Sequence, residues 1–223
     1  MSPVVVVPLG AWEQHGNHLP PATDTLIITA VAAAAAATVP GVVLAPTIPV
    51  TASDEHRGFD STLSIGTEAF ASSVVAIARS ATWAAGVLFV NGHGGNADGL
   101  AIAHEAMDHE GLRHDIWSLP VYDGADAHAG RTETSVMLHL HPGLVDMTRA
   151  ATGNTAPLHE IIGTMRTGGV KAVSPTGVLG DATAAMRQLG SVSPAELAGR
   201  QAERVAAAQA QALANMREVA AAI

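Results

Sequence analysis

Two short apolar runs, VVVV at residues 4–7 and GVLFV at residues 86–90, each pass without a polar break into a polar, glycine-containing turn. A strand with one face in water alternates apolar and polar residues. An uninterrupted run needs cover on both faces, which is the pattern of a parallel strand inside a layered α/β fold. Helical stretches separate the strand-like ones. Residues 25–38 are Ala-rich and long enough for a helix, with Thr23 or Asp24 placed to cap it and Pro40-Gly41 to stop it. Residues 42–50 read as a strand interrupted by prolines, 67–83 as helix, 98–110 as helix, 115–121 as strand and 132–141 as helix ending at Pro142. Ser193 and Glu196 make a capping-box pattern with Pro194 at the first helical position, which predicts a helix running to about residue 222. Strands alternating with helices imply a mostly parallel central sheet flanked by helices on both faces, a three-layer α/β fold. In such a sheet, ligands gather at the carboxyl ends of the strands.

Neither a repeat nor a linker divides the sequence, so residues 1–223 are expected to form one domain. A chain of that length buries about 70% or more of its unfolded surface and needs no disulfide to hold a core. Cysteine is absent, so a metal site here must be built from His, Asp and Glu. Acidic residues number 20 against 11 Lys and Arg, and the net charge of −9 argues against a nucleic-acid partner. Residues 27–39 are the longest helix-like apolar stretch, short of the roughly 20 residues that a membrane span requires. The first residues carry no basic segment before their apolar run, so no signal peptide is read there and a cytoplasmic location is expected. Only 14% of residues are charged, which points to burial between subunits and hence to a homo-oligomer.

Three polar clusters follow strand-like runs. In GAWEQHGNHLPPATD, residues 10–24, Glu13 and His15 are two apart and project to the same side of extended backbone, while Asp24 stands at a helix start. A polar loop with a helix cap is the structural reading of the same residues, and His18 reads as a supporting histidine. In NGHGGN, residues 91–96, the glycines let the backbone turn sharply and bring His93 close to a ligand, with Asn91 and Asn96 free to bond either the turn or a substrate. The spacing fits neither a dinucleotide fingerprint nor a phosphate loop. In DGADAHAGRTETS, residues 123–135, His128 lies in a loop and Glu133 in the first helical turn; a cap by Asp126 or Thr132 is the structural alternative. Imidazoles with carboxylates suit Zn, Mn or Fe. Glu55 and His56, in SDEHRGFDST at residues 53–62, read as a solvated charge cluster or as a loop over the site. His104, His109 and His114 are expected mostly at the surface. Trp12, Trp83 and Trp117 are expected in the core or an interface.

PLGAWEQHGNHLPPATD, NGHGGN and HAGRTETS, in that order, resemble the three signature blocks of the creatininase family. The resemblance implies a single α/β domain, oligomeric assembly as a hexamer or octamer, and hydrolysis of carbon–nitrogen bonds with two divalent metal ions per subunit. It carries the metal ligands onto Glu13, His15, Asp24, His93 and Glu133, with Asp24 bridging, and the proton-shuttling histidine onto His128. Creatinine-hydrolysing members have a Glu two residues after the ligand histidine, where this chain has Gly95. Creatinine is therefore not the expected substrate, and Glu133 is left to complete the site. In the 53–62 segment the family commonly has Pro-Gly, where this chain has Asp60-Ser61. GNTAPL at 153–158 and MRTGGVKAVSPTGVLGDAT at 165–183 resemble a branch of peptidases within the family. These remove a C-terminal Val-Tyr dipeptide from a small ribosomal precursor peptide that a radical enzyme has modified.

The expected chemistry is a water activated by two metals roughly 3.5–4 Å apart, with His128 as general base and then acid. Candidate substrate contacts are Asn91, Asn96, Glu55, His56 and Arg131, the last as receptor for a terminal carboxylate. Two other readings stay open. One is an amidohydrolase acting on a small amide or formamide. The other is a non-catalytic subunit that binds metal and peptide.

Overall fold

Each residue of β1 (Val4–Leu9) and β3 (Gly86–Asn91) is buried, as uninterrupted apolar runs require. In the computed structural model, which describes residues 2–37, 39–120 and 125–185, these two strands form the middle of a four-stranded sheet. Its order is β2-β1-β3-β4, with β2 (Val42–Leu44) and β4 (His114–Ser118) at the edges, and all pairings are parallel. The register sets Leu9 level with Asn91, so the loops leaving β1 and β3 start side by side.

Side-chain alternation divides the core between the two faces of the sheet. Val5, Val7, Val87 and Phe89 pack against Phe70 and Val74 of α2 (Thr67–Ser80) and Leu100, Ala103 and Met107 of α3 (Ala97–His109). Val4, Val6, Leu88, Val90 and Trp117 pack against Ile28, Val31 and Ala32 of α1 (Thr23–Ala36). A third cluster joins Ile27 of α1 to Met137 of α4 (Arg131–Leu140), and α5 (Leu158–Gly168) adds Ile161 to a fourth. The three layers expected from the sequence are present.

Several boundaries differ from expectation for physical reasons. α1 begins two residues early, and neither Thr23 nor Asp24 caps it: the Thr23 hydroxyl donates to Pro20 O at 2.7 Å and the Asp24 carboxylate turns to histidines instead. β2 covers only the start of 42–50, because Pro46 and Pro49 have no N–H to give; beyond it Ile48 makes a single bridge to Leu9. α2 stops at Ser80, and β4 starts at His114 and ends at Ser118. α5 carries no clear sequence signal. Trp117 is core, whereas Trp12 and Trp83 are exposed. The helix expected from Ser193 lies outside the described residues. Among those described, no helix is long and apolar enough to cross a membrane.

Phe70→Ala should destabilise the fold by about 3–5 kcal/mol, since the ring is wholly buried between α2 and the sheet. Trp83→Ala, at an exposed turn, should stay within about 0.5 kcal/mol. Chemical denaturation midpoints compare the two directly; similar losses would contradict this placement of the core.

Candidate metal centre

The loop leaving β1 is held extended. Trp12 O accepts from Leu63 N at 2.9 Å, Glu13 N donates to Pro21 O at 3.0 Å, and Gln14 N donates to Thr62 Oγ1 at 3.1 Å. Extended backbone sends Glu13 and His15 to one side, as their spacing predicts. Both are buried. Asp24, in the first turn of α1, places its carboxylate between two imidazoles. Its Oδ1 is 3.2 Å from His15 Nε2 and its Oδ2 is 3.0 Å from His93 Nδ1. His93 comes from the turn after β3 and reaches Glu13 Oε2 at 3.3 Å through Nε2. Glu133, in the first turn of α4, brings Oε2 to 3.9 Å from His15 Nε2.

Among these five residues two three-residue donor groups result, while Glu13 also groups with His15 and His128 and with Glu55 and His56. Glu13, Asp24 and His93 form one, and His15, Asp24 and Glu133 form the other; within each group the donor atoms lie within 4.8 Å of one another. Asp24 belongs to both. The five residues that the sequence singled out for metal therefore meet in one place, although they are spread from residue 13 to residue 133.

The donor set fits divalent cations. Glu13 Oε2 and Asp24 Oδ2 are buried and lack hydrogen-bond partners; their contacts to His93 are close but misaligned. A buried carboxylate oxygen left so costs on the order of 1–3 kcal/mol or more, and a cation removes that cost. His15 donates Nδ1–H to Glu13 O at 3.0 Å, since a carbonyl can only accept, and this turns Nε2 toward Asp24 and Glu133, where a cation would take the place of its proton. A backbone carbonyl that orients an imidazole in this way is the usual support for a metal-binding histidine. The field agrees. Burial opposes charge on His15 and His93, yet Asp24 beside the first and Glu13 beside the second outweigh it and push both up to about 10. Burial raises Glu13 to about 7, and Asp24 is held well below the carboxylate range because the two histidines outweigh its burial.

His128 stands beside this centre. Its Nε2–H donates to Gln14 O at 2.9 Å, which turns Nδ1 toward Glu13 Oε1 at 3.5 Å. Its ring lies 4.2 Å from that of His15 and 4.4 Å from that of His56. Burial, and then the nearby His15, hold His128 well below the usual imidazole value, and the same two causes take His56 down to about 3. The 54–57 segment splits in two: Asp54 and Arg57 pair at the surface, while Glu55 Oε1 approaches His93 Nε2 at 3.5 Å and His56 Nε2 approaches Glu13 Oε1 at 3.7 Å. Glu55 and His56 thus border the centre and do not form a solvated cluster.

The remaining substrate candidates fare differently. Asn91 brackets His93, accepting from His93 N at 3.2 Å and donating to His93 O at 2.9 Å, and also lines the cavity at the centre. Asn96 corrects the expectation of a substrate contact: it is 0% exposed and its amide is used on Ala52 N and Asn91 Oδ1. Arg131 lines a different cavity, with Asn154 and Asp181. Asp126 fulfils the capping role foreseen for it, accepting from Arg131 N and, at 2.9 Å, from Thr132 N. His18 gives structural support by contacting Thr134 Oγ1 at 2.8 Å.

Sequence reasoning missed the supports drawn from 174–180. Thr176 O accepts from Gln14 Nε2 at 2.8 Å, and Leu179 pairs with His128 through Leu179 N to His128 O at 2.8 Å. The left-handed Gly177 packs so close to Gln14 that a Cβ would stand 1.9 Å from Oε1. Glycine at that position was the available signal.

A cavity of about 350 Å³ opens from Asp24, His93 and Glu133 along apolar walls that include Ile27, Val31, Leu119, Pro120 and Val136. It lies at the carboxyl ends of β3 and β4, where layered α/β folds bind ligands.

Comparison with known proteins identifies the family and the fold. The family model described as creatininase, creatinine amidohydrolase, matches residues 1–208. The chain is 49% identical over 192 residues to the mycofactocin precursor peptide peptidase of Mycobacterium ulcerans (strain Agy99), covering 82% of this chain and 76% of the relative. It is 46% identical over 211 residues to the protein of that name from Mycolicibacterium smegmatis, covering 92% and 85%. Among solved structures, a tryptophan-to-phenylalanine mutant creatininase superposes with a TM-score of 0.74 at 25% identity, covering 97% of this chain and 91% of that one. A manganese creatininase superposes with a TM-score of 0.72 at 24% identity and the same coverage.

Neighbouring glycines give a paired test. A Cβ on Gly95 would stand 2.1 Å from Glu55 Oε1, 2.4 Å from His93 Nε2 and 2.8 Å from Ala52 O, whereas one on Gly94 meets nothing within 4 Å. Gly95→Ala should weaken divalent-metal binding at least about 10-fold by displacing His93, while Gly94→Ala should bind as the unmodified protein does. Metal titration followed by calorimetry reads both, and equal affinities would contradict the packing described.

Proposed function

The chain belongs to the creatininase family, and from that premise and the geometry of its centre we propose that it is a metal-dependent peptidase acting on the modified mycofactocin precursor peptide. As a member of this family with peptidase-named relatives, it is a hydrolase of amide bonds. The proposed reaction releases a C-terminal Val-Tyr dipeptide by attack of water on a peptide bond. The observation that carries it is Asp24, whose two oxygens face two separate donor groups.

In this reading Glu13, Asp24 and His93 hold one divalent ion and His15, Asp24 and Glu133 the other, with Zn, Fe or Mn suited to the donors. Two bound cations would polarise the amide carbonyl and lower the pKa of water toward neutrality. His128, held by Gln14 O, presents Nδ1 at the edge of the centre; it takes a proton from the attacking water and returns it to the departing amine. Glu55 and His56 border the centre at His93 and Glu13. The apolar cavity beside Asp24 and His93 supports a peptide with hydrophobic residues near the scissile bond. Gly95 supports the exclusion of creatinine. The same reading carries a homo-oligomeric, cytoplasmic enzyme; the exposed Val43 and Leu44 on edge strand β2 support the assembly.

Incubating the metal-loaded protein with the modified precursor peptide, and separately with small formamides, tests the substrate. Release of Val-Tyr is expected; turnover of formamides alone would move the assignment to small amides, and stoichiometric capture without product would make it a binding subunit. His128→Ala should keep its metal and lose about 10²–10⁴ in rate. Loss of metal in that variant would instead make His128 a ligand.

A further inference from the structure

We propose a third divalent-cation site, separate from the catalytic centre, formed by His104 and Asp108 of α3 and His114 at the start of β4. Their donor atoms lie within 4.8 Å of one another. His114 stands at the amino end of β4, opposite Val87 in register, whereas the candidate catalytic centre follows the carboxyl ends of the strands. Four residues of strand at roughly 3.3 Å each separate the two ends, so the sites share no ligand.

The geometry of His114 points to a ligand. Its side chain is 2% exposed, although the cluster lies at the surface. Its Nδ1–H donates to Leu112 O at 2.9 Å, so in the neutral ring the Nε2 lone pair faces outward into the cluster. This is the carbonyl-oriented arrangement that also holds His15. That lone pair meets His104 Nδ1 at 2.7 Å. Asp108, one helical turn after His104, brings Oδ1 to 3.9 Å from His114 Nε2 and Oδ2 to 3.6 Å from His104 Nε2. Residues four apart share a helix face, which keeps Asp108 beside His104, and each of the three residues would give one ligand atom. Two nitrogens bound at about 2.0–2.1 Å in a tetrahedral site stand roughly 3.3 Å apart, a small opening that the exposed His104 can supply.

Two imidazoles and one carboxylate select zinc-like transition ions over Mg²⁺ or Ca²⁺. His104 and Asp108 are exposed, which leaves the fourth position to water or to a donor from another molecule. A cation here ties the end of α3 to the first residue of β4 and closes the short connection at residues 110–113. The role is structural, since the site is remote from the scissile bond.

Equilibrium dialysis against zinc chloride, with zinc counted per chain, tests this on the full protein, His104→Ala and Asp108→Ala. The unmodified protein should hold one zinc more than either variant, and zinc should slow amide exchange at residues 110–113 in the unmodified protein alone. Both substituted side chains are exposed, so the variants should fold and keep full peptidase activity. The count is a difference, read whether the catalytic centre holds two ions, one or none. Equal zinc in all three proteins would overturn the site and leave the histidines as a plain N–H···N pair.

Discussion

A carboxylate buried at the start of α1 is shared between His15 and His93, and the architecture of the whole site follows from that sharing. Asp24 cannot sit there unsupported, because a buried anion needs compensating positive charge. The amino end of α1 supplies part of it through its backbone dipole. The histidines, on loops from neighbouring strands, flank it at 3.2 and 3.0 Å. Such a meeting is possible because β1 and β3 are adjacent and parallel, so both release their loops at the same edge, level with the first turn of the crossover helix.

Around this pairing the chain builds successive layers of restraint. Asn91 and Asn96 fix the turn that carries His93, and Asn96 ties that turn to Ala52. The Ala52 carbonyl then takes His93 Nε2 at 2.8 Å. On the other flank, 174–180 props Gln14 and pairs with His128. Both bordering histidines are held neutral by burial and then by the positive field of His15. Buried carboxylate oxygens without hydrogen-bond partners, beside uncharged imidazoles, suit metal-assisted hydrolysis, since a neutral imidazole is free to accept a proton.

The layered fold was legible because VVVV and GVLFV carry their own signature of two-sided burial. The three polar clusters were legible because each follows a strand-like run, and the family resemblance picked the five donors out of them. Less was readable where a residue's role depends on partners distant in sequence. Glu55 and His56 look like a charged surface loop, and only the fold shows that two of those four polar side chains turn inward. Asn96 looks available to a substrate until its amide is found spent within the turn. Asp24 looks like a helix cap, but the neighbouring imidazoles draw its carboxylate away from the backbone N–H groups. α5 has no capping signal strong enough to announce it.

Anomalous X-ray diffraction from crystals grown with manganese or zinc bears most directly on the account. It predicts two peaks roughly 3.5–4 Å apart on either side of the Asp24 carboxylate, one also contacting Glu13 and His93 and the other His15 and Glu133. A single peak, or two that do not share Asp24, would contradict it.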